Sequence, residues 1–367
     1  MSYTSDVLII GGGLHGCSAA LHLVMRGQSV TVLERDASGR HASGLSAGGV
    51  RRLGRHLAEV PLSIRATEYW QDIQALVDDD CGYRQSRYLQ LAENDADLET
   101  GHARAAEMRA NGFVHEAMID EAALRAFVPG VASHCVGALH VDGDGAADPL
   151  RTTLAFKRRA EALGAVFFDG AAVTAISRIG DGWRVESSAG AFEGGALVNA
   201  AGAWGGKVAA MLGEAPPVEA RAPMMQLTEP VAPFADAVFG ALGDALSLKQ
   251  MENGAVMIGG GRLGRALPDQ GVVELVEEGL ARSLATARRL FPILEAAKVE
   301  RRWAGIEGYM PDDIPVLSIG AEKSIVHSFG YSAHGFQLGP AAGEVVADLV
   351  MHGETKYPIE AFRIDRF

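Results

Sequence analysis

Cysteine is scarce: Cys17, Cys81 and Cys135 are the only three, far apart and without a Cys-x-x-Cys spacing. An odd, scattered set supplies neither a disulfide framework nor a zinc site, so no metal is expected and a reducing cytoplasm fits. Positive charge is also in deficit. Against 46 Asp and Glu there are 33 Lys and Arg, and a net charge of −13 repels a phosphate polyanion, which argues against nucleic acid as a partner. Long hydrophobic runs are missing too. The apolar stretch from Val7 is cut by glycines and His15, and no basic segment precedes it, so neither a signal peptide nor a transmembrane segment is expected. What remains is the composition of a folded globular protein, 48% hydrophobic and 22% charged over 367 residues, enough for two domains or one large α/β unit.

Glycine is the residue in excess, with 45 copies clustered at 11–16, 39–54, 200–206, 259–264 and 330–343. The first cluster has a context. Val7-Leu8-Ile9-Ile10 reads as a strand buried on both faces, and Gly11-x-Gly13-x-x-Gly16 follows it. Leu14, Cys17, Leu21 and Val24 then fall on one helical stripe, and Val30-Thr31-Val32-Leu33 forms a second strand with Glu34 at its tip. A strand, a glycine turn, a helix and a terminal acid make up the dinucleotide fingerprint. Its glycines admit the pyrophosphate to the backbone and the helix N-terminus favours its charge, while the acid accepts from ribose hydroxyls. Gly11, Gly13, Leu14, His15, Gly16, Glu34 and Arg35 are therefore the first cofactor-binding candidates.

Further along, the pattern is helical over 61–77 and 95–109. Asp148-Pro149 offers an N-cap and an N1 proline for a helix to about Leu163, followed by a strand over 165–168. Turn signals between 171 and 200 divide a small antiparallel meander, with Val173 at its start. A second β-rich region covers about 218–305 and carries an amphipathic helix near 272–290. The last helix spans 340–352, with Pro340 in its first turn.

Three segments carry more than pattern: Ala196-Leu197-Val198-Asn199-Ala200-Ala201-Gly202-Ala203-Trp204, Trp303-Ala304-Gly305-Ile306-Glu307-Gly308-Tyr309-Met310-Pro311, and Gly330-Tyr331-Ser332-Ala333-His334-Gly335-Phe336-Gln337-Leu338-Gly339. With Gly143-Asp144-Gly145 and Asp148-Pro149, they resemble the glycine oxidase, sarcosine oxidase and D-amino acid oxidase (DAO) superfamily across essentially the whole chain. The resemblance implies an α/β fold: an FAD-binding Rossmann-like domain of the glutathione-reductase type, discontinuous over 1–80, 140–216 and 306–367, plus an antiparallel β-sheet substrate domain with helices over 81–139 and 217–305. It implies FAD as cofactor and a cytoplasmic oxidoreductase acting on an amine or amino acid, in which hydride passes to flavin N5 and the imine is hydrolysed. Val173, Ala201, Gly202 and Trp204 are then expected at the nucleotide, and Gly335, Phe336 and Gln337 at the flavin. Ser43, Ser46, Gly48 and Gly49 belong to a small-residue loop beside the pyrophosphate and isoalloxazine. His41 begins a stretch similar to the flavin-linking histidine segment of dimethylglycine and sarcosine dehydrogenases, although noncovalent FAD is the favoured reading. The helix from Pro340 would stabilise the reduced flavin with its N-terminus.

For the substrate, Arg51 and Arg52 stand where sarcosine oxidase-type members place arginines toward the flavin and the substrate carboxylate, and His334 lies in the flavin-flanking loop. Three positions depart from the family. Glu307 replaces the carboxylate-binding arginine of glycine oxidase-like members, Gln337 the carboxylate-binding lysine of sarcosine oxidases, and Met257 the lysine that promotes reaction with oxygen. The expected substrate is a secondary amino acid or N-substituted glycine such as sarcosine, iminodiacetate or a proline-like compound, with oxygen or an electron-transfer partner subunit as acceptor. The alternatives are the flavin subunit of a heteromeric opine or hydroxyproline dehydrogenase, and a 2-hydroxy-acid dehydrogenase on the same fold.

Overall fold

A computed structural model describes residues 3–367. The fully buried Val7–Ile10 run ends the strand Tyr3–Ile10, which lies parallel to Val30–Glu34 on one side and to Gly190–Asn199 on the other. Ile325–Phe329 continues the parallel order beyond Gly190–Asn199, and Val166–Asp169 beyond Val30–Glu34, while Val316–Ile319 closes one edge antiparallel. The meander is present as Val173–Ile179, Gly182–Ser187 and Gly190–Asn199. On one face of this sheet the helices Leu14–Val24, Gly335–His352, Pro149–Ala162 and Val60–Gln71 pack into a single apolar layer with Leu14, Leu21, Trp70, Phe156, Leu338 and Val345. On the other face Leu8, Leu33, Phe192 and Leu197 pack with Trp183 and Val185 of the meander, so both faces are covered, as a parallel sheet requires.

The second sheet has twelve strands and runs from Val272–Glu274 through Leu263–Leu267, Glu219–Thr228, Val256–Gly259, Ser247–Gln250, Ala237–Ala241, Arg84–Ala92 and Gly137–Ala146 to Gly49–Val50. It is antiparallel except where Ala237–Ala241 runs parallel to Arg84–Ala92. Its core of Leu89, Leu91, Phe239, Leu248, Ile258 and Phe291 is covered by the helix Glu277–Leu290. Gly49–Val50 and Glu307–Tyr309 pair into this sheet, although the stretches holding them read as nucleotide-binding. The chain therefore changes sheets right beside the glycine-rich loop and the turn before the last helix, and the walls of the cavity come from both sheets.

Local structure departs from the sequence reading in three places. The stretch 61–77 holds two helices, Val60–Gln71 and Ile73–Val77, broken where Asp72 leaves helical geometry. Residues 272–274 are a strand paired with Leu263–Leu267, and the amphipathic helix starts only at Glu277. The last helix begins at Gly335, five residues before Pro340, and ends at Gly353 in the left-handed region. An interior proline forfeits one ladder hydrogen bond, and the carbonyl of Pro340 itself accepts from His22 Nε2 at 3.0 Å. Among the described residues no helix is long and apolar enough to cross a membrane, and no cluster of three metal-ligating side chains occurs.

Candidate active site

The fingerprint glycines are placed by sterics. Gly11 has φ +110°, a conformation that L side chains rarely adopt, and its N–H donates to the Leu33 carbonyl at 2.8 Å. A β-carbon on Gly16 would collide with the Gly11 carbonyl oxygen, so only glycine lets the helix approach this closely. That helix has no side-chain cap and no acid in its first turn, which leaves its N-terminus suited to an anion. Glu34 accepts from the Gly12 N–H at 2.6 Å and the Asp36 N–H at 2.8 Å, keeping lone pairs for hydroxyl donors. Arg35 lies 3.9 Å over the Trp204 ring, and His41 Nε2 reaches Asp36 at 2.9 Å. Ser43 Oγ accepts from the Leu14 N–H at 2.9 Å, and Ser46 Oγ from the Gly48 N–H at 3.2 Å, tying the small-residue loop to the helix start.

All of this lines a cavity of about 750 Å³ that runs on between the two sheets. From the second sheet, the turn between Leu263–Leu267 and Val272–Glu274 reaches over it. There Pro268 accepts from the Trp204 indole at 3.1 Å and Asp269 pairs with Lys207. A close-packed glycine turn, an uncapped helix N-terminus and an acid at the second strand's tip fit a dinucleotide, and FAD fits the whole cavity's reach from Glu34 to the turn before the last helix.

The far end of the cavity is built from charged groups. Arg51 and Arg55 both line it. Arg51 Nη1 donates to the Leu53 carbonyl at 2.6 Å and has no other side-chain hydrogen bond. Arg55 is only 2% exposed; Nε donates to the Arg51 carbonyl at 3.0 Å, Nη2 reaches Gln337 Oε1 at 3.4 Å, and Nη1 has no partner. Burial first, and then the like charge of Arg51, pull this guanidinium down to about 10. His334 Nδ1 meets Glu59 Oε2 at 3.0 Å, and burial holds its imidazole below the usual histidine value. His15 stacks on Tyr331 at 3.6 Å and is pulled down by burial to about 3, so it is neutral near pH 7. Glu307 accepts from the Ala333 N–H at 2.8 Å, and burial pushes its carboxyl up to about 7.

The cavity gathers nearly all of the sequence candidates: Gly11, Gly13, Leu14, His15, Glu34, Arg35, Ser43, Ser46, Gly48, Gly49, Val173, Ala201, Gly202, Trp204, Gly335, Phe336, Arg51, Glu307 and His334 lie on its wall. Four do not. Gly16 serves the close packing just described rather than the wall. Arg52 turns away, held by buried Asp144, which is 3.1 Å from its Nε, and by the Asp142 carbonyl, which accepts from Nη2 at 2.6 Å. Gln337 is fully buried among helices, donating to the Ser63 carbonyl at 2.8 Å and accepting from Ser63 Oγ at 3.1 Å, so it braces Arg55 from behind. Met257 sits in the second sheet, off the wall, opposite Lys249, a buried ammonium pulled down to about 8 by burial. The last helix begins at Gly335 and not at Pro340, which moves its expected N-terminal dipole about 1.4 turns toward the cavity.

Arg55, Tyr88, Gln90 and Tyr331 were missed. One signal was available for Arg55. Arg52 is taken up by Asp144, and the next arginine after the turn at Gly54 (φ +72°) is Arg55.

A family model described as FAD dependent oxidoreductase (DAO) matches residues 6–349. The bifunctional protein ThiO/ThiG of Synechocystis is 26% identical over all of this chain, which spans about half, 55%, of that protein. The glycine oxidase of Geobacillus kaustophilus is 25% identical over 100% of this chain and 98% of its own. Among solved structures, the L-proline dehydrogenase from P. horikoshii superimposes with a TM-score of 0.91 at 26% identity, covering 100% of this chain and 98% of that one.

Proposed function

The chain belongs to the DAO family of FAD-dependent oxidoreductases, and on that premise we propose that it oxidises the carbon–nitrogen bond of a small amino acid, with a secondary amino acid or N-substituted glycine (sarcosine, iminodiacetate or proline) as the substrate class. FAD, when bound, supplies the two-electron acceptor. The chain's own residues supply the rest. The glycine turn, Glu34 and the loop of Ser43 and Ser46 would hold the nucleotide portion, and Trp204 and Gly335–Phe336 the remainder. Noncovalent attachment is favoured, with His41 Nε2 engaged by Asp36 at 2.9 Å and Arg35 at 3.0 Å.

The observation that carries the amino-acid reading is Arg55. A buried guanidinium with an orphaned Nη1, beside a second arginine and facing a cavity, is a receptor for a carboxylate, because leaving it unpaired costs the desolvation of a charge. Tyr88, 5.8 Å beneath the Arg51 guanidinium, backs the same wall. Fixing the carboxylate there orients the rest of a small substrate along the cavity, and orientation is a large part of what such a reaction needs.

Anaerobic addition of sarcosine, proline, iminodiacetate, glycine and 2-hydroxyglutarate to the holoprotein tests this reading. Bleaching of the flavin band by an amino acid and not by the hydroxy acid is expected. Bleaching by 2-hydroxyglutarate alone would make it a hydroxy-acid dehydrogenase and remove the amine chemistry.

A further inference from the structure

An amino acid arrives with its nitrogen protonated, and an ammonium has no lone pair to assist loss of the neighbouring hydride, so a group in the cavity that can take that proton assists the reaction. Four carboxylates line the cavity: Glu34, Asp244, Asp269 and Glu307. Three are committed elsewhere. Glu34 is bound to two backbone N–H groups, Asp244 to Arg262 and Thr286, and Asp269 to Lys207. Glu307 has one partner, the Ala333 N–H on Oε1, and Oε2 is left with none.

Its surroundings hold it in that state. The turn before the last helix is stitched onto the Glu307–Tyr309 strand: Ser332 N–H donates to the Gly308 carbonyl at 3.1 Å, and Ser332 Oγ accepts from Met310 N–H at 3.1 Å. Ser332 and Ala333 both take positive φ, +49° and +66°, a strained turn that aims the Ala333 N–H at the carboxylate. No cation neutralises Glu307. Its neighbour across the strand pair, Arg221, is bound to Glu219 at 2.9 Å and lies over the Tyr309 ring. Tyr309 on the same strand and Tyr331 on the turn are both kept protonated by burial. His334, on that turn, is bound to Glu59, and Arg51 and Arg55 line the same cavity without bonding to Glu307.

We propose that Glu307 is the proton acceptor for the substrate ammonium, taking one N–H proton on Oε2 so that the amine is neutral when it is oxidised; this rests on the amino-acid reading above. The step balances: the nitrogen keeps its electron pair and becomes a neutral amine, the carboxylate becomes a neutral acid, and nothing is oxidised. A carboxyl tuned by burial toward the working pH is suited to the task.

The test pairs two measurements on the holoprotein. Single-turnover anaerobic flavin reduction by sarcosine or proline is followed from pH 6 to 10 in wild type and in Glu307→Gln. The variant is expected to be about 10²–10⁴-fold slower near pH 7, with the deficit shrinking toward pH 10 as the free amine loses its own proton. Glu307→Asp should restore part of the rate at pH 7. Independently of turnover, propionate, a carboxylate without an amine, is titrated against the flavin spectrum. In wild type its affinity should fall as pH rises through about 7, where Glu307 becomes an anion, and in Glu307→Gln that break should vanish. A deficit constant with pH, or an unchanged break in the variant, overturns the proposal. Failure of every amino acid to bleach the wild-type flavin overturns the amino-acid reading itself, and this assignment with it.

Discussion

Arg52 and Arg55 stand three residues apart and face opposite environments. Arg52 neutralises Asp144, whose carboxyl burial pushes up, and the Asp144 carboxylate also collects the backbone N–H groups of Arg52 and Leu53. Arg55 lines the cavity, and its Nη1 is buried without a partner. Their replacements should therefore separate stability from catalysis. Arg52→Met strands a buried carboxylate and should lower unfolding free energy by about 3–5 kcal/mol in urea titrations, with the kcat/KM of the folded fraction near wild type. Arg55→Met should reverse this: a charged hydrogen bond worth about 1.5–3 kcal/mol is lost to the substrate, roughly a 10- to 100-fold fall in kcat/KM, while the midpoint in urea shifts less than in Arg52→Met, because the Arg55 side chain bonds a carbonyl and Gln337 and not a carboxylate. The adjacent arginines were legible as a carboxylate-binding element, but which arginine lines the cavity depends on the distant Asp144 that holds Arg52 and on the turn at Gly54, and a pair of neighbours in sequence conceals that. Glu307 was legible as a departure from the family. Its isolation from every cation was not, because that follows from the Arg221–Glu219 pairing on another strand.

Among the elements, the N-terminal strand, glycine turn and helix could be read in full because strand burial, helix periodicity and steric need for glycine all agree there. Gly16→Ala should accordingly yield protein with little bound FAD, measured as the ratio of flavin to protein absorbance, since the added methyl must force helix and turn apart. The last helix was read too short. Proline at its sixth position marks a start by local rule, yet close packing of Gly339 on Leu14 and Gly343 on Ser18 sustains the helix through it. This helix is also tied down by charge. Burial raises the Glu344 carboxyl, but hydrogen bonds from Arg65 at 2.8 Å, and from Tyr357 and Tyr69 at 3.1 Å each, outweigh that and hold it below the usual glutamate value. A carboxyl depressed by folding stabilises above its unfolded pKa of about 4.5 and ceases to do so as pH falls through its folded value. Glu344→Gln should thus cost about 1–3 kcal/mol at pH 7, and the gap from wild type should close on titration below pH 4. The strand at 272–274 was taken for helix because three residues are too few to show a period, and only pairing with Leu263–Leu267 fixes them.

At the scale of the whole molecule, the chain crosses between its two sheets several times, and the cavity lies along those crossings. The order of sheet and helix was legible from glycine turns and buried runs; the assignment of Gly49–Val50 and Glu307–Tyr309 to the second sheet was not, because two- and three-residue strands are defined by their partners. A ligand seated against both sheets should stabilise the fold as one unit. Removing FAD should lower the melting temperature, and adding it back at about a hundredfold over Kd should restore about 2.7 kcal/mol. An unchanged melting curve would mean that FAD does not bind the native fold. The carboxylate receptor at Arg55 is the claim on which the functional account turns, and the most direct measurement is a crystal structure of the holoprotein soaked with propionate. The expected result is a propionate carboxylate within hydrogen-bonding distance of Arg55 Nη1, with Arg52 still on Asp144. A carboxylate bound elsewhere in the cavity, with Arg55 Nη1 still unpaired, would contradict the account.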